Sequence, residues 1–167
     1  MKSLAQQMSV YQDYHRNARN KATHFVGVPA IVLAVMLVLS WVPVGPHSIT
    51  LADVLALPVL AYYFALDVPL ALATTIAFGV LLAIAHQLDA ALSPSQGWIA
   101  FALLFVGGWI VQLIGHYFEG RKPALVDNLF QIVIAPIFLM AEVFFALGYK
   151  PAMRHAVERG ATGHTAR

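Results

Sequence analysis

Cysteine is absent from all 167 residues. That excludes disulfides, thiolate metal sites, iron–sulfur clusters and cysteine nucleophiles, and it leaves His, Asp and Glu as the protein ligands open to a metal. Charge is scarce as well: 11% of residues are charged against 60% hydrophobic, with a mean hydropathy of +0.73. A soluble domain is excluded by this balance, and the length suits one integral membrane domain. There is no phosphate-binding Gly-rich loop, no G-x-S-x-G elbow and no H-E-x-x-H helix. Residues 1–24 are too polar for a cleaved signal peptide, and no small-residue cleavage site follows the first apolar run, so that run reads as a retained anchor. The net charge of +2 and pI near 9.0 do not point to nucleic acid. The ten Lys and Arg residues fall in three short segments beside apolar runs, where they report membrane orientation.

What is present is a succession of apolar segments, and the fold expected is all-α, with four to five transmembrane helices and an N-terminal interfacial helix. Residues 1–24 interleave polar groups with Leu4, Met8, Tyr11 and Tyr14, as a helix lying at the interface would. Membrane segments are expected at 25–44, 51–66, 69–86, 97–118 and 129–147, followed by a polar tail over 148–167 with a short helix near 152–159. The 51–66 segment is short for a bilayer core of about 30 Å. Gly107 and Gly108 allow close helix packing. Pro123 is expected to stop the fourth helix. Lys2, Arg16, Arg19 and Lys21 precede the first span, Arg121 and Lys122 follow the fourth, and Lys150, Arg154, Arg159 and Arg167 lie in the tail. Four crossings put the first two groups on the cytoplasmic side. The same rule favours the fifth segment turning back at Pro136, which keeps the basic tail there too.

Ionisable groups at the ends of apolar segments are functional candidates, because an unpaired one is costly in hydrocarbon. His116 and Glu119 share a helix face at metal-ligand spacing; the alternative is an interfacial histidine with Glu119 paired to Arg121 or Lys122. Asn20 and His24 also share a face. His15 poses a geometric problem: nine residues of straight helix turn through about 900° and rise about 13.5 Å, which places it opposite His24. If both bind one metal, the chain bends between them. His86 poses another, since three crossings put it on the far face from His24 and His116. His47, His155 and His164 read as solvated, and Asp53, Asp67 and Asp89 as caps. Glu142, inside an apolar run, needs a partner, such as a ligated histidine. Tyr11 and Trp109 read as members of an interfacial aromatic belt.

Together Tyr14-His15, Asn20, His24, Pro29, His86, Asp89, Trp109, Gln112, the stretch GHYFEGRKPALVDN at 115–128, Ala135-Pro136, Phe138, Glu142 and Leu147-Gly148 resemble the 2-hydroxy fatty acid dioxygenase family over about residues 11–150. The resemblance implies an Fe2+-dependent membrane enzyme of fatty acid α-oxidation. Its substrates would be O2 and 2-hydroxy fatty acids such as those released by sphingolipid long-chain-base breakdown, and its product the fatty acid one carbon shorter. It also implies His24, His86 and His116 as ligands, with His15 as a fourth ligand or proton-transfer group and Glu119 as the carboxylate alternative. Asn20 and Gln112 would orient ligands or substrate, and Arg121 or Lys122 would meet the substrate carboxylate. The expected location is the inner membrane in a bacterial host and the endoplasmic reticulum in a eukaryotic one. The other readings are a different non-haem metal lipid oxygenase or hydroxylase, and a small transporter or scaffold.

Overall fold

A computed structural model describes residues 3–45, 49–120 and 131–164. Seven α-helices carry most of them: α1 (Leu4–Asp13), α2 (Ala18–Ser40), α3 (Leu51–Leu66), α4 (Val68–Ala91), α5 (Pro94–Glu119), α6 (Gln131–Ala146) and α7 (Pro151–His164). Three of them, α2, α4 and α5, are long and apolar enough to cross a membrane, while α3 and α6 are shorter apolar helices.

The N-terminal helix stops well before residue 24, for local reasons. A capping box starts α1, with Gln6 N–H donating to Ser3 Oγ and Ser3 N–H to Gln6 Oε1. Asn17 then caps a new helix by accepting from Arg19 N–H at 2.9 Å, so α2 begins at Ala18 rather than Phe25. Between them the chain bends at His15 and Arg16. Leu4, Met8 and Tyr11 form a buried stripe on α1 at helical spacing. Part of that face packs on α7, which is longer than expected from the tail composition.

The closest helix pair is α2 with α5. A Cβ on Gly27 would meet Gln112 Cγ at 2.6 Å and Gly108 O at 2.9 Å, and one on Gly115 would meet Thr23 Oγ1 at 2.0 Å. These backbones approach as they do because no side chain intervenes. Of the expected glycine pair, Gly108 makes the contact and Gly107 faces open space.

The fourth apolar helix ends at Glu119, one residue past the expected 118 and within the limit set by Pro123, because Gly120 adopts a left-handed conformation (φ 69°) and closes the last turn with N–H bonds to His116 and Tyr117 carbonyls. The expectation that the fifth segment turns back at Pro136 is corrected, since α6 continues as a helix on both sides of it. Even so, the chain enters and leaves the 120–146 region at one end of the bundle. Glu119 bonds to the backbone of Arg16 and Asn17, Lys21 pairs with Glu142 at 2.8 Å, and Lys150 pairs with Asp67 at 2.7 Å. Arg16, Arg19, Lys21, Lys150 and Arg154 therefore gather near one end of the bundle.

Candidate metal centre

Three histidines far apart in sequence meet where α1, α2 and α5 converge. His15 occupies the bend, His24 lies early in α2, and His116 lies in the last turn of α5. They are 2%, 2% and 5% exposed. One nitrogen from each lies within 4.8 Å of the other two. The bend solves the geometric problem of a straight helix, because it folds His15 back onto His24 with ring centroids 4.4 Å apart. His116 stands 5.0 and 5.1 Å from their rings.

Hydrogen bonding sets the tautomers. His15 Nδ1 lies 2.7 Å from Tyr11 O, and His24 Nδ1 lies 2.9 Å from Asn20 O. A carbonyl only accepts, so both Nδ1 atoms carry the proton and both Nε2 atoms present lone pairs. Those lone pairs face each other at 3.1 Å. They repel unless a cation lies between them, and burial argues against a proton in that role. Burial first, and then His24, push His15 from its ordinary 6.5 down to about 2. A metal ion fits, because neighbouring donors around one ion with bonds of about 2.1 Å sit about 3–4 Å apart. His116 Nδ1, also buried, has no hydrogen-bond partner among the described residues. All three donors are neutral imidazoles, which suit iron, zinc, copper or nickel alike.

Around the cluster, Tyr11 stacks on His15 at 3.9 Å with an interplanar angle of 7°, so it is a buried wall and not a belt residue. Glu119 holds the bend in place. Its Oε1 accepts from Arg16 N–H at 3.0 Å, and its Oε2 accepts from Asn17 N–H at 2.8 Å and Asn20 Nδ2 at 3.0 Å. The carboxylate is thus occupied as a clamp between α5 and the start of α2. Asn20 also donates to Tyr14 O at 3.0 Å, and its own carbonyl orients His24. Glu142 pairs with Lys21, not with a histidine.

His86 is not brought to this cluster. Its Nε2 lies 3.1 Å from Asp53 Oδ1, beside Trp41 and Trp98. From Gly97, which lines that cavity, to His116 is 19 residues of α5, or about 28 Å of helix. Asp53 and Asp67 cap helices as expected. Arg121, Lys122 and His47 lie outside the described residues.

A cavity of about 1050 Å³ lies beside His86, lined also by Asp53 and by Asp89 near the end of α4, yet among the described residues no third ligand converges with them. The histidine pocket is smaller, about 60 Å³, and is chemically divided. His15, His24, His116, Gln112 and Gln131 form its polar side, and Val28, Ile31, Val32, Trp109, Ile132 and Ala135 its apolar side. Tyr11 and Gln131 complete this wall without a signal in the sequence, since no spacing joins Gln131 to the histidines.

The model of a family described as 2-hydroxy-palmitic acid dioxygenase Mpo1-like matches residues 1–147. The chain belongs to the Mpo1-like family. It is 36% identical over 163 residues to the 2-hydroxy-palmitic acid dioxygenase MPO1 of Saccharomyces cerevisiae, covering 93% of this chain and 87% of that protein. No solved structure matches. Membership of the Mpo1-like family makes this chain an enzyme of dioxygenase type, embedded in a membrane by its apolar helices.

Proposed function

We propose that this chain is an Fe(II)-dependent dioxygenase that oxidatively decarboxylates 2-hydroxy fatty acids. The observation that carries the proposal is the pair of facing Nε2 lone pairs of His15 and His24, 3.1 Å apart beside His116 in a pocket with an apolar wall. His15 takes the place in the ligand set that the sequence suggested for His86. Asn20 and Tyr11 hold two of the imidazoles through their carbonyls, and Glu119 holds the bend that carries them. No carboxylate joins the histidine group among the described residues, so the hydroxyl and carboxylate of a 2-hydroxy acid can complete the donor set. Bound iron would supply Lewis acidity toward those oxygens and a place for O2. Val28, Ile31, Val32 and Trp109 exclude water and receive the first carbons of the acyl chain. Gln112 orients the polar end, and Arg121 or Lys122 meets its carboxylate.

The balance is R–CH(OH)–COOH + O2 → R–COOH + CO2 + H2O. The hydroxyl-bearing carbon becomes the new carboxyl and the old carboxyl leaves as CO2. The acid supplies all four electrons, so no external reductant enters.

The test is O2 uptake and product analysis with purified, detergent-solubilised protein, Fe(II) and a 2-hydroxy long-chain acid. One CO2 per O2 with the acid shortened by one carbon is expected. Tightly bound metal without turnover would point to another lipid substrate. Failure to bind metal would bring back the transporter or scaffold reading.

A further inference from the structure

Gln131 opens α6 and is 5% exposed. Its Oε1 is buried and has no hydrogen-bond partner among the described residues. It lines the pocket shared by His15, His24 and His116, as does Ile132 beside it, while Ile134 and Ala135 anchor this first turn in the core. A carbonyl oxygen accepts and cannot donate, so what this group lacks is a donor. The pocket does not supply one. The Nδ1 protons of His15 and His24 go to Tyr11 and Asn20 carbonyls, and the donors carried by His116, Tyr11, Gln112 and Trp109 do not reach it.

We propose that Gln131 reads the 2-hydroxyl of the substrate: its Oε1 accepts a hydrogen bond from that O–H and sets the preference for 2-hydroxy acids over the same acids with hydrogen at carbon 2. The inference rests on the function proposed above. Of the reactants, only the hydroxyl carries a donor, because the carboxylate and O2 only accept and the chain is apolar. An acid without the hydroxyl leaves the buried amide unpaired, and a site built around such a hydrogen bond rejects the analogue that lacks it. Metal chelation also favours the hydroxylated acid, but that contribution is common to wild type and Gln131 variants and cancels in their comparison.

The test is an anaerobic titration of the Fe(II)-loaded, solubilised protein with 2-hydroxyhexadecanoate and with hexadecanoate, followed by tryptophan emission, since Trp109 lines the pocket. Wild type is expected to bind the hydroxylated acid at least about tenfold more tightly. In Gln131→Met the ratio should shrink by about tenfold through weaker binding of the hydroxylated acid alone, with iron per chain and melting temperature unchanged. Gln131→Glu keeps the acceptor and should restore the ratio, because its charge acts on both acids alike. A ratio retained in Gln131→Met, or equal weakening of both acids, would overturn the inference and leave the proposed function standing. A wild-type protein that neither binds nor turns over the 2-hydroxy acid would remove the proposed function and this inference with it.

Discussion

At the scale of single residues, the centre depends on which nitrogen of each histidine is free. His15 and His24 spend Nδ1 on backbone carbonyls and keep Nε2 for the cluster, so replacing either ring removes a donor that no neighbour can supply. Bound iron per chain is therefore expected to fall below a tenth of wild type in His24→Ala and His116→Ala, and to stay at the wild-type level in His86→Ala and His155→Ala. Equal iron in all four would remove the centre. His15 also makes stability depend on pH. It is neutral when folded, with its ionisation pushed to about 2, whereas the unfolded chain takes up the proton near 6.5. The unfolded state binds more protons in that window, so its contribution to stability is complete above about 6.5 and declines as pH falls toward 2. The melting temperature of chelator-treated protein should drop between pH 8 and pH 5, and a flat profile would contradict a buried neutral His15.

At the scale of elements, the site is a product of the α1–α2 bend and the α2–α5 contact. Glu119 ties them together through three hydrogen bonds, two to the backbone of the bend. Glu119→Ala leaves those donors unpaired and should cost about 2 kcal/mol or more, with looser metal binding, while Glu119→Gln retains part of both. Thermal unfolding and metal dissociation measured together check this. If Glu119→Ala lost turnover but kept wild-type stability and metal affinity, a direct chemical role would replace the clamp. Gly115 sits immediately before His116, where any Cβ collides with Thr23 Oγ1. Gly115→Val is expected to destabilise by about 1–3 kcal/mol and displace His116, whereas Gly107→Ala, facing open space, should leave both stability and iron content near wild type. The reverse order would mean that the helices do not pack on this face.

At the scale of the whole molecule, the histidine cluster and the ion pairs of Lys21 and Lys150 lie at one end of the bundle, and the His86–Asp53 pair at the other. Ion pairs from α2 to α6 and from the α3–α4 turn to Lys150 return the chain after α6 to the end that carries α1. Because the chain has no cysteine, single cysteines report sidedness cleanly. Ser3→Cys and Ala152→Cys should label from the same side of sealed vesicles, and Ser95→Cys from the other. Labelling of Ser3→Cys and Ala152→Cys from opposite sides would mean that the chain crosses once more after α5.

The sequence by itself determined the solvent, the helical class and the chemical types at the site. Composition and segment length are local sums, so a membrane chain of helices followed directly from apolar runs and scarce charge. The absence of cysteine left imidazole and carboxylate as the donors, and the ends of apolar segments drew attention to His15, His24, His116 and Glu119. Only the tertiary structure decided how these groups divide the work. The bend between Asp13 and Ala18 depends on a capping hydrogen bond and on a carboxylate about a hundred residues away, so no period in the sequence could place His15 against His24. The depth of Gln131 in the bundle likewise depends on packing, and that depth puts it beside the histidines. His86 and Glu119 bear ligand chemistry equally well. One is separated from the cluster by the length of α5, and the other is already engaged by three donors, because position and prior hydrogen bonds belong to the folded arrangement and not to the residue type.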